Sequence, residues 1–474
     1  MKFDYVIIGS GPAGSVLAWH LSKLNFKIAL IDRSNSKKKI VNDFFLPYVN
    51  KCPNYYTPVF SDQLGGNSAL WHNKIYLISK KEFKMKDWSV NYDELLLHSR
   101  DLSSKFNITN SNNLEKIESY NRSDFELHYS ERCKIGNIFD FLKIKEIQNI
   151  EVMENSSPIK VNFDNNLKAD SVIVRDQNNK IDIKININRS LIFCAGGIGN
   201  AHLIQNLIPI KNNIVGKFLS DHPHVNIAKI DSKQVDYYKR ILKPNIKNNI
   251  SNISEKERNE EAAIVYKYYE TIGAVQLDYK KDPMRYLRRL FLKIPSNIIR
   301  KLLYIFGFFM TKMNGLLSKI GIIYGNYYKY SFEFFFSQSQ EKNNKIFLDE
   351  KITDKFGLKK ANIKWQISNQ DEKNYNDIID LVIKENNVET KDRFKNDFAN
   401  NFYRSGLSGL HPSCTTRMGK DNKDSVVDGN LKIHEIKNVY VCGSSVFPVN
   451  GITNPTWTIM TLANRLAKHL AKVD

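Results

Sequence analysis

The chain has 474 residues, a formal net charge of +20, and 42% hydrophobic, 12% aromatic and 25% charged residues. At about 150 residues per domain this allows roughly three units and a large core, and it excludes a stapled mini-protein, a disordered chain and a polytopic membrane protein. Lys far outnumbers Arg and Asn and Ile are plentiful, so part of the charge is the codon usage of an AT-rich genome, and no zinc-finger or RRM-type signature comes with it to indicate nucleic acid.

The chain opens on the apolar run Tyr5–Ile8, which is too short for a secretory h-region and ends in glycines. No stretch reaches the roughly 18 uncharged apolar residues that a spanning helix needs, so a cytoplasmic protein is expected. Tyr5–Ile8 reads as a buried strand, followed by Gly9-Ser10-Gly11-Pro12-Ala13-Gly14 and a helix with Val16, Leu17, Leu21 and Leu24 on one face. A second strand, Ile28–Ile31, ends at Asp32. This is the G-x-G-x-x-G fingerprint in its required context. Gly9 permits the turn, Gly11 lets backbone approach a pyrophosphate, and Gly14 lets helix and sheet pack. Asp32 is placed to accept from a ribose hydroxyl, and the helix N-terminus offers N–H groups to phosphate. The fingerprint alone does not separate FAD from NAD.

Gly65-Gly66-Asn67-Ser68 reads as a loop whose bare backbone can approach a planar ring. Ser190–Cys194 is a second buried strand, leading through Ala195-Gly196-Gly197 into a helix with Ala201, Leu203, Ile204 and Leu207. The alternating runs Ala262–Tyr269, Ser331–Ser337 and Ala361–Ile367 predict an antiparallel sheet inserted between α/β ends. Within 280–330, Arg285, Arg289 and Lys293 fall on one helix face and Leu287, Leu290, Phe291 and Ile294 on another; the uncharged run Leu302–Thr311 follows. Residues 284–312 therefore read as a membrane-surface element, as core helices of the inserted lobe, or as a protein-binding face. The five cysteines are scattered without a C-x-x-C pair, which argues for a reducing compartment and against a structural zinc site; no metal is expected. Near the C-terminus, His411–Gly419 is a loop, Asn438–Cys442 a strand leading to Gly443-Ser444, and Asn454-Pro455-Thr456 the start of a last helix with Asn at the N-cap.

Taken together, Gly9–Gly14 with Asp32, Gly65-Gly66, Cys194–Gly199, Gly216–Pro223, His411–Gly419 and Val426 through Thr456 resemble the glucose–methanol–choline (GMC) flavoprotein oxidoreductases. Compact bacterial sugar dehydrogenases and pyranose oxidase-like members look most similar. The resemblance implies an α/β, Rossmann-like FAD-binding domain of glutathione reductase type, with an inserted α+β substrate domain on an antiparallel sheet. It divides the chain into an FAD domain (1–80, 140–230 and 405–474) and a substrate domain (81–139 and 231–404), with 280–330 as a basic amphipathic insertion. It implies oxidation of an alcohol or sugar CH–OH group, with hydride passing to flavin N5, His411 as base and Asn454 orienting the hydroxyl. It also implies that Gly9, Gly11, Pro12, Ala13, Gly14, Asp32, Gly65, Gly66, Asn67, Ser68, Ala195, Gly196, Gly443, Ser444, Pro455 and Thr456 contact FAD. Some members attach FAD through a His four residues after the Gly pair; Leu70 stands there, so non-covalent FAD is expected. Gly443 stands where the family usually has Asp. A dehydrogenase is expected over an oxidase, with the electron acceptor open. The rival readings are another FAD-fold enzyme acting on a membrane lipid, or a membrane-associated flavoprotein without catalysis. In the first, or with a lipid-linked alcohol, the protein would sit at the inner face of the membrane.

Overall fold

A computed structural model describes residues 1–34, 48–49, 56, 58, 60–71, 73–108, 117–119, 125–133, 135–229, 261–268, 271–279, 330–385, 398–399, 402 and 408–473. The basic insertion 280–330 lies outside the described residues except for its last residue, Tyr330, which opens a strand.

The first sheet has seven strands: β1 (Lys2–Ile8), β2 (Ile28–Ile31), β3 (Ile150–Met153), β4 (Ser156–Phe163), β5 (Ala169–Asp176), β6 (Ile181–Phe193) and β7 (Val439–Val441). Five of them run parallel in the order β3-β2-β1-β6-β7. The first half of β6 also pairs antiparallel with β5, which pairs with β4. The sequence of β6 records this double duty. Ile181–Arg189 is mostly exposed, as in a sheet open to water, whereas Ser190–Phe193 is an unbroken buried run. Strands of a parallel sheet are covered on both faces, so they lose the alternation of apolar and polar residues.

Helices α1 (Pro12–Ser22) and α2 (Gly196–Leu207) follow β1 and β6, and α3 (Thr456–Val473) packs on α1. The Tyr5 hydroxyl donates to the Leu470 carbonyl at 3.3 Å, tying β1 to the far end of α3. All these elements agree with the α/β reading.

A second, antiparallel sheet runs in the order His224–Lys229, Tyr330–Phe336, Thr271–Tyr279, Glu261–Tyr268, Phe125–Arg132 and Lys74–Ile75, with Ile117–Ser119 also on Phe125–Arg132. Two of the three runs read as strands from the sequence lie here. The third, Lys359–Lys364, instead joins Lys345–Thr353 and Tyr48–Val49 in a separate three-stranded sheet. Alternation marks a strand and its buried face but not its partner.

Among the described glycines, the turn after β1 holds the closest approach to backbone. A Cβ on Gly14 would stand 1.8 Å from the Gly9 carbonyl oxygen, and Gly9 holds φ +105°. Gly14→Ala is therefore expected to cost about 2 kcal/mol or more, because backbone must move. Urea unfolding checks this; an unchanged midpoint would show that the turn yields freely.

Candidate active site

The Gly9–Gly14 turn and the Gly65-Gly66 loop meet at the C-terminal edge of the parallel sheet. The Gly65 N–H donates to Ser10 Oγ at 2.9 Å, and a Cβ on Gly66 would lie 3.3 Å from Gly11 Cα. The Ser68 hydroxyl donates to the Gly65 carbonyl at 2.6 Å and accepts from the Ile138 N–H at 3.1 Å, closing the loop on itself. Asn67 Oδ1 accepts from the Ser61 N–H at 2.9 Å. Asp32, half-buried at the end of β2, accepts from the N–H groups of Ser10 and Ser34. The helix-opening residues Pro12, Ala13 and Gly14 face this corner, where the first N–H groups of a helix lack partners within it.

The second glycine turn carries the C-terminal loops. The Ala195 N–H donates to Asn200 Oδ1 at 2.7 Å, while Asn200 Nδ2 donates to Ser445 Oγ at 2.9 Å. Gly443 lies beside Gly196, its hypothetical Cβ 3.7 Å from the Gly196 Cα. The loop after His411 then runs along the segment after β7. Cys414 N–H donates to the Ser444 carbonyl (3.1 Å), Thr416 N–H to Ser445 (2.8 Å) and Met418 N–H to Val446 (2.8 Å). Ser444 Oγ donates to the Pro412 carbonyl at 2.7 Å.

His411 itself is half-buried against the 220–224 segment. Ser413 and Ser220 exchange backbone hydrogen bonds of 2.9 and 3.2 Å. The carboxyl of Asp221, fully buried, accepts backbone N–H groups from His222 (2.8 Å), Gly409 (2.9 Å) and His411 (3.3 Å). His222 Nε2 bonds to His411 Nδ1, and His222 Nδ1 lies 3.2 Å from the Gly451 carbonyl. Burial pushes the Asp221 carboxyl up to about 7, although the three backbone N–H groups pull it the other way.

The loop before α3 is held from below by Glu82. Its carboxylate accepts from the Ile452 N–H (2.7 Å), the Thr453 N–H (2.9 Å) and the Thr453 hydroxyl (2.6 Å). The same carboxylate accepts from the N–H and hydroxyl of Ser79, as the back half of a capping box. Asn450 faces the same neighbourhood; with its amide oxygen toward the N–H groups of Asp221 and His222 it accepts at 3.3 and 3.1 Å. Asn454 is half-buried just ahead of α3. The Pro455 carbonyl accepts the first helical bond, from Ile459 N–H at 2.9 Å. The cap position is thus Pro455, one residue later than the N-cap expected at Asn454.

Residues 341–463 match the family model described as GMC oxidoreductase, and residues 7–36 the one described as NAD(P)-binding Rossmann-like domain. Residues 341–463 are thus similar to a GMC oxidoreductase domain. Paromamine 6'-oxidase of Streptomyces fradiae is 42% identical over 69 residues, covering 15% of this chain and 12% of that protein. The matches to curated relatives take in between 10% and 26% of those proteins' lengths. Among solved structures, pyridoxine 4-oxidase from Mesorbium loti superposes with TM-score 0.59 at 13% identity, covering 100% of both chains. A formate oxidase from Aspergillus oryzae RIB40 does so with TM-score 0.59 at 15% identity, over 99% of this chain and 98% of that one. At these identities the superpositions establish the fold alone.

The cofactor of a GMC domain joined to this Rossmann-like turn is FAD. The residues fit it: the corner between Gly11 and Gly66 is bare backbone that a side chain would fill, and Asp32 stands at the edge of β2. Asp221, His222, His224, Glu82 and Asn450 were not singled out from the sequence as site residues. The pattern Ser79-x-x-Glu82 was a legible capping box, but nothing local marked its second task 370 positions away. Asp221-His222-Pro223 was read within the family-like stretch Gly216–Pro223, without a task for any of its side chains. Among the described residues no helix is long and apolar enough to cross a membrane.

Two outcomes are expected. Glu82→Ala strands several buried donors of the 450–456 loop and is expected to cost about 3 kcal/mol or more; an unchanged urea midpoint would show that the loop is held otherwise. Asp221 keeps its proton up to about pH 7 in the folded chain, whereas an unfolded Asp releases it near 3.9. Its contribution is fully present below the unfolded value and is lost as pH rises through the folded one. The native chain should lose stability relative to Asp221→Asn by about 1.4 kcal/mol per pH unit across that window. Parallel stability–pH curves from urea unfolding would refute this.

Proposed function

We propose that the chain is an FAD-dependent oxidoreductase acting on a CH–OH group of an alcohol or sugar, with His411 Nε2 accepting the hydroxyl proton. Bound FAD supplies the hydride acceptor. The single observation that carries the reading is the hydrogen-bond chain from the Gly451 carbonyl through His222 to His411. A carbonyl only accepts, so His222 Nδ1 carries a proton and its Nε2 is left with a lone pair. That lone pair takes the proton on His411 Nδ1, so the lone pair of the His411 ring sits on Nε2. An imidazole in this tautomer is a base near neutral pH.

The other residues bind and orient. Gly9, Gly11, Ala13, Gly14, Gly65 and Gly66 give the FAD a side-chain-free corner, and Asp32 accepts from the ribose. Asn67, Ser68, Ala195, Gly196, Gly443 and Ser444 line the loops that close over it. Asn454 can donate to the substrate oxygen from the residue ahead of α3, so that the hydroxyl is held in one orientation. The N-terminus of α3, at Pro455 and Thr456, favours negative charge there. Leu70 has no nucleophilic atom, which supports FAD held without a covalent bond. The names of similar proteins include both oxidases and a dehydrogenase, so the acceptor is read by comparing oxygen with an artificial acceptor.

His411→Ala is expected to retain FAD yet slow its anaerobic reduction by substrate about 10²-fold or more. Stopped-flow bleaching of flavin absorbance measures this; an unchanged rate removes His411 from the chemistry. Acid precipitation should leave the flavin in the supernatant, and a coloured pellet would overturn the non-covalent assignment.

A further inference from the structure

We propose that His222, His224 and His411 form a binding site for a divalent cation of Zn²⁺ type, in which the cation replaces the proton shared by two of the imidazoles. One ring nitrogen of each residue lies within 4.8 Å of the others, and the ring centroids of His222 stand 4.2 Å from His411 and 4.9 Å from His224. Zinc–imidazole bonds of about 2.0–2.1 Å put tetrahedral ligand atoms ~3.3 Å apart, so small side-chain rotations close the set. His222 and His224 are buried and His411 half-buried, and Pro223 keeps the two neighbours on one extended segment.

A second observation points the same way. Ligating histidines hold their other ring nitrogen against a carbonyl or carboxylate, which fixes the tautomer and aims the lone pair. His222 Nδ1 is against the Gly451 carbonyl at 3.2 Å, and His224 Nδ1 faces the Glu333 carboxylate at 4.0 Å. The His222 bond leaves its Nε2 for the common centre, where it meets His411 Nδ1. The proton chain proposed above uses His222 and His411; a cation would take His224 as well. Glu333, buried, places a carboxyl group beside the cluster. Three imidazoles without a thiolate favour Zn²⁺, Cu²⁺ or Ni²⁺ and leave a fourth position open.

The consequence for catalysis rests on the reading of His411 as base. Coordination at His411 Nδ1 moves the ring proton to Nε2. That atom then donates and no longer accepts, so the occupied site is an off-state of the enzyme. No electron is transferred; one proton shifts between the two nitrogens of one ring.

The FAD-loaded protein is titrated with Zn²⁺ by calorimetry and with Co²⁺ by visible absorption. One ion per chain is expected. Glu333→Gln should weaken it by roughly 10–100-fold, the cost of losing an outer partner, and His224→Gln by more. X-ray absorption at the zinc edge of the unsubstituted chain should count three imidazoles. Fewer than three imidazoles, or affinity unchanged in a folded variant, overturns the site. Should one equivalent of Zn²⁺ bind as expected while substrate still reduces the flavin at full rate, the metal site stands and the role of His411 falls.

Discussion

Two buried carboxyl groups decide where the reactive loops lie. Asp221 gathers N–H groups from the 220s segment and from the His411 loop, and Glu82 gathers those of the loop before α3. Buried main-chain donors must find acceptors, and a loop has no ladder to supply them. A carboxylate can accept several at once, so one side chain fixes a stretch of backbone that would otherwise be free to move. His222 then couples the two loops by touching His411 with one ring nitrogen and the Gly451 carbonyl with the other. The site is a set of loops held by side chains from distant parts of the chain and resting on the ends of rigid strands.

Strand β6 makes this possible. Its second half lies between β1 and the edge strand β7 of the parallel sheet, and the turn after it carries α2, against which the 443–446 segment and the His411 loop pack. The His411 loop is thereby placed by the same sheet that forms the Gly9–Gly14 corner. The antiparallel sheet is joined at His224, where the segment leaves Asp221 and His222 and pairs with Tyr330–Phe336.

Much of the nucleotide corner was legible because its signals are local. Tight turns demand glycine, and doubly covered strands demand unbroken apolar runs; both stand out along a few residues, as at Gly9–Gly14, Ile28–Ile31 and Ser190–Phe193. The α/β fold and the GMC character followed from their order. Partnership was not legible. The alternation at Ala361–Ile367 was visible, yet its pairing with Tyr48–Val49 depends on a chain path that no periodicity records. The expected cap at Asn454 was off by one residue because Asn before Pro fits either of two adjacent positions. His222 and His224 were passed over because an imidazole takes its meaning from what stands behind each nitrogen, and Gly451, Glu333 and His411 are all remote in sequence.

The edge of the parallel sheet at β7 carries a consequence for biosynthesis. Leu191–Phe193 finds its neighbour Val439–Val441 only after the whole intervening lobe has left the ribosome. Until then this strand presents an open, greasy margin, the kind of surface that chaperones cover and aggregates recruit. High contact order of this sort slows folding. Yield in a heterologous host should therefore depend more on holdase supply and growth temperature than on the strength of any single contact in the finished fold.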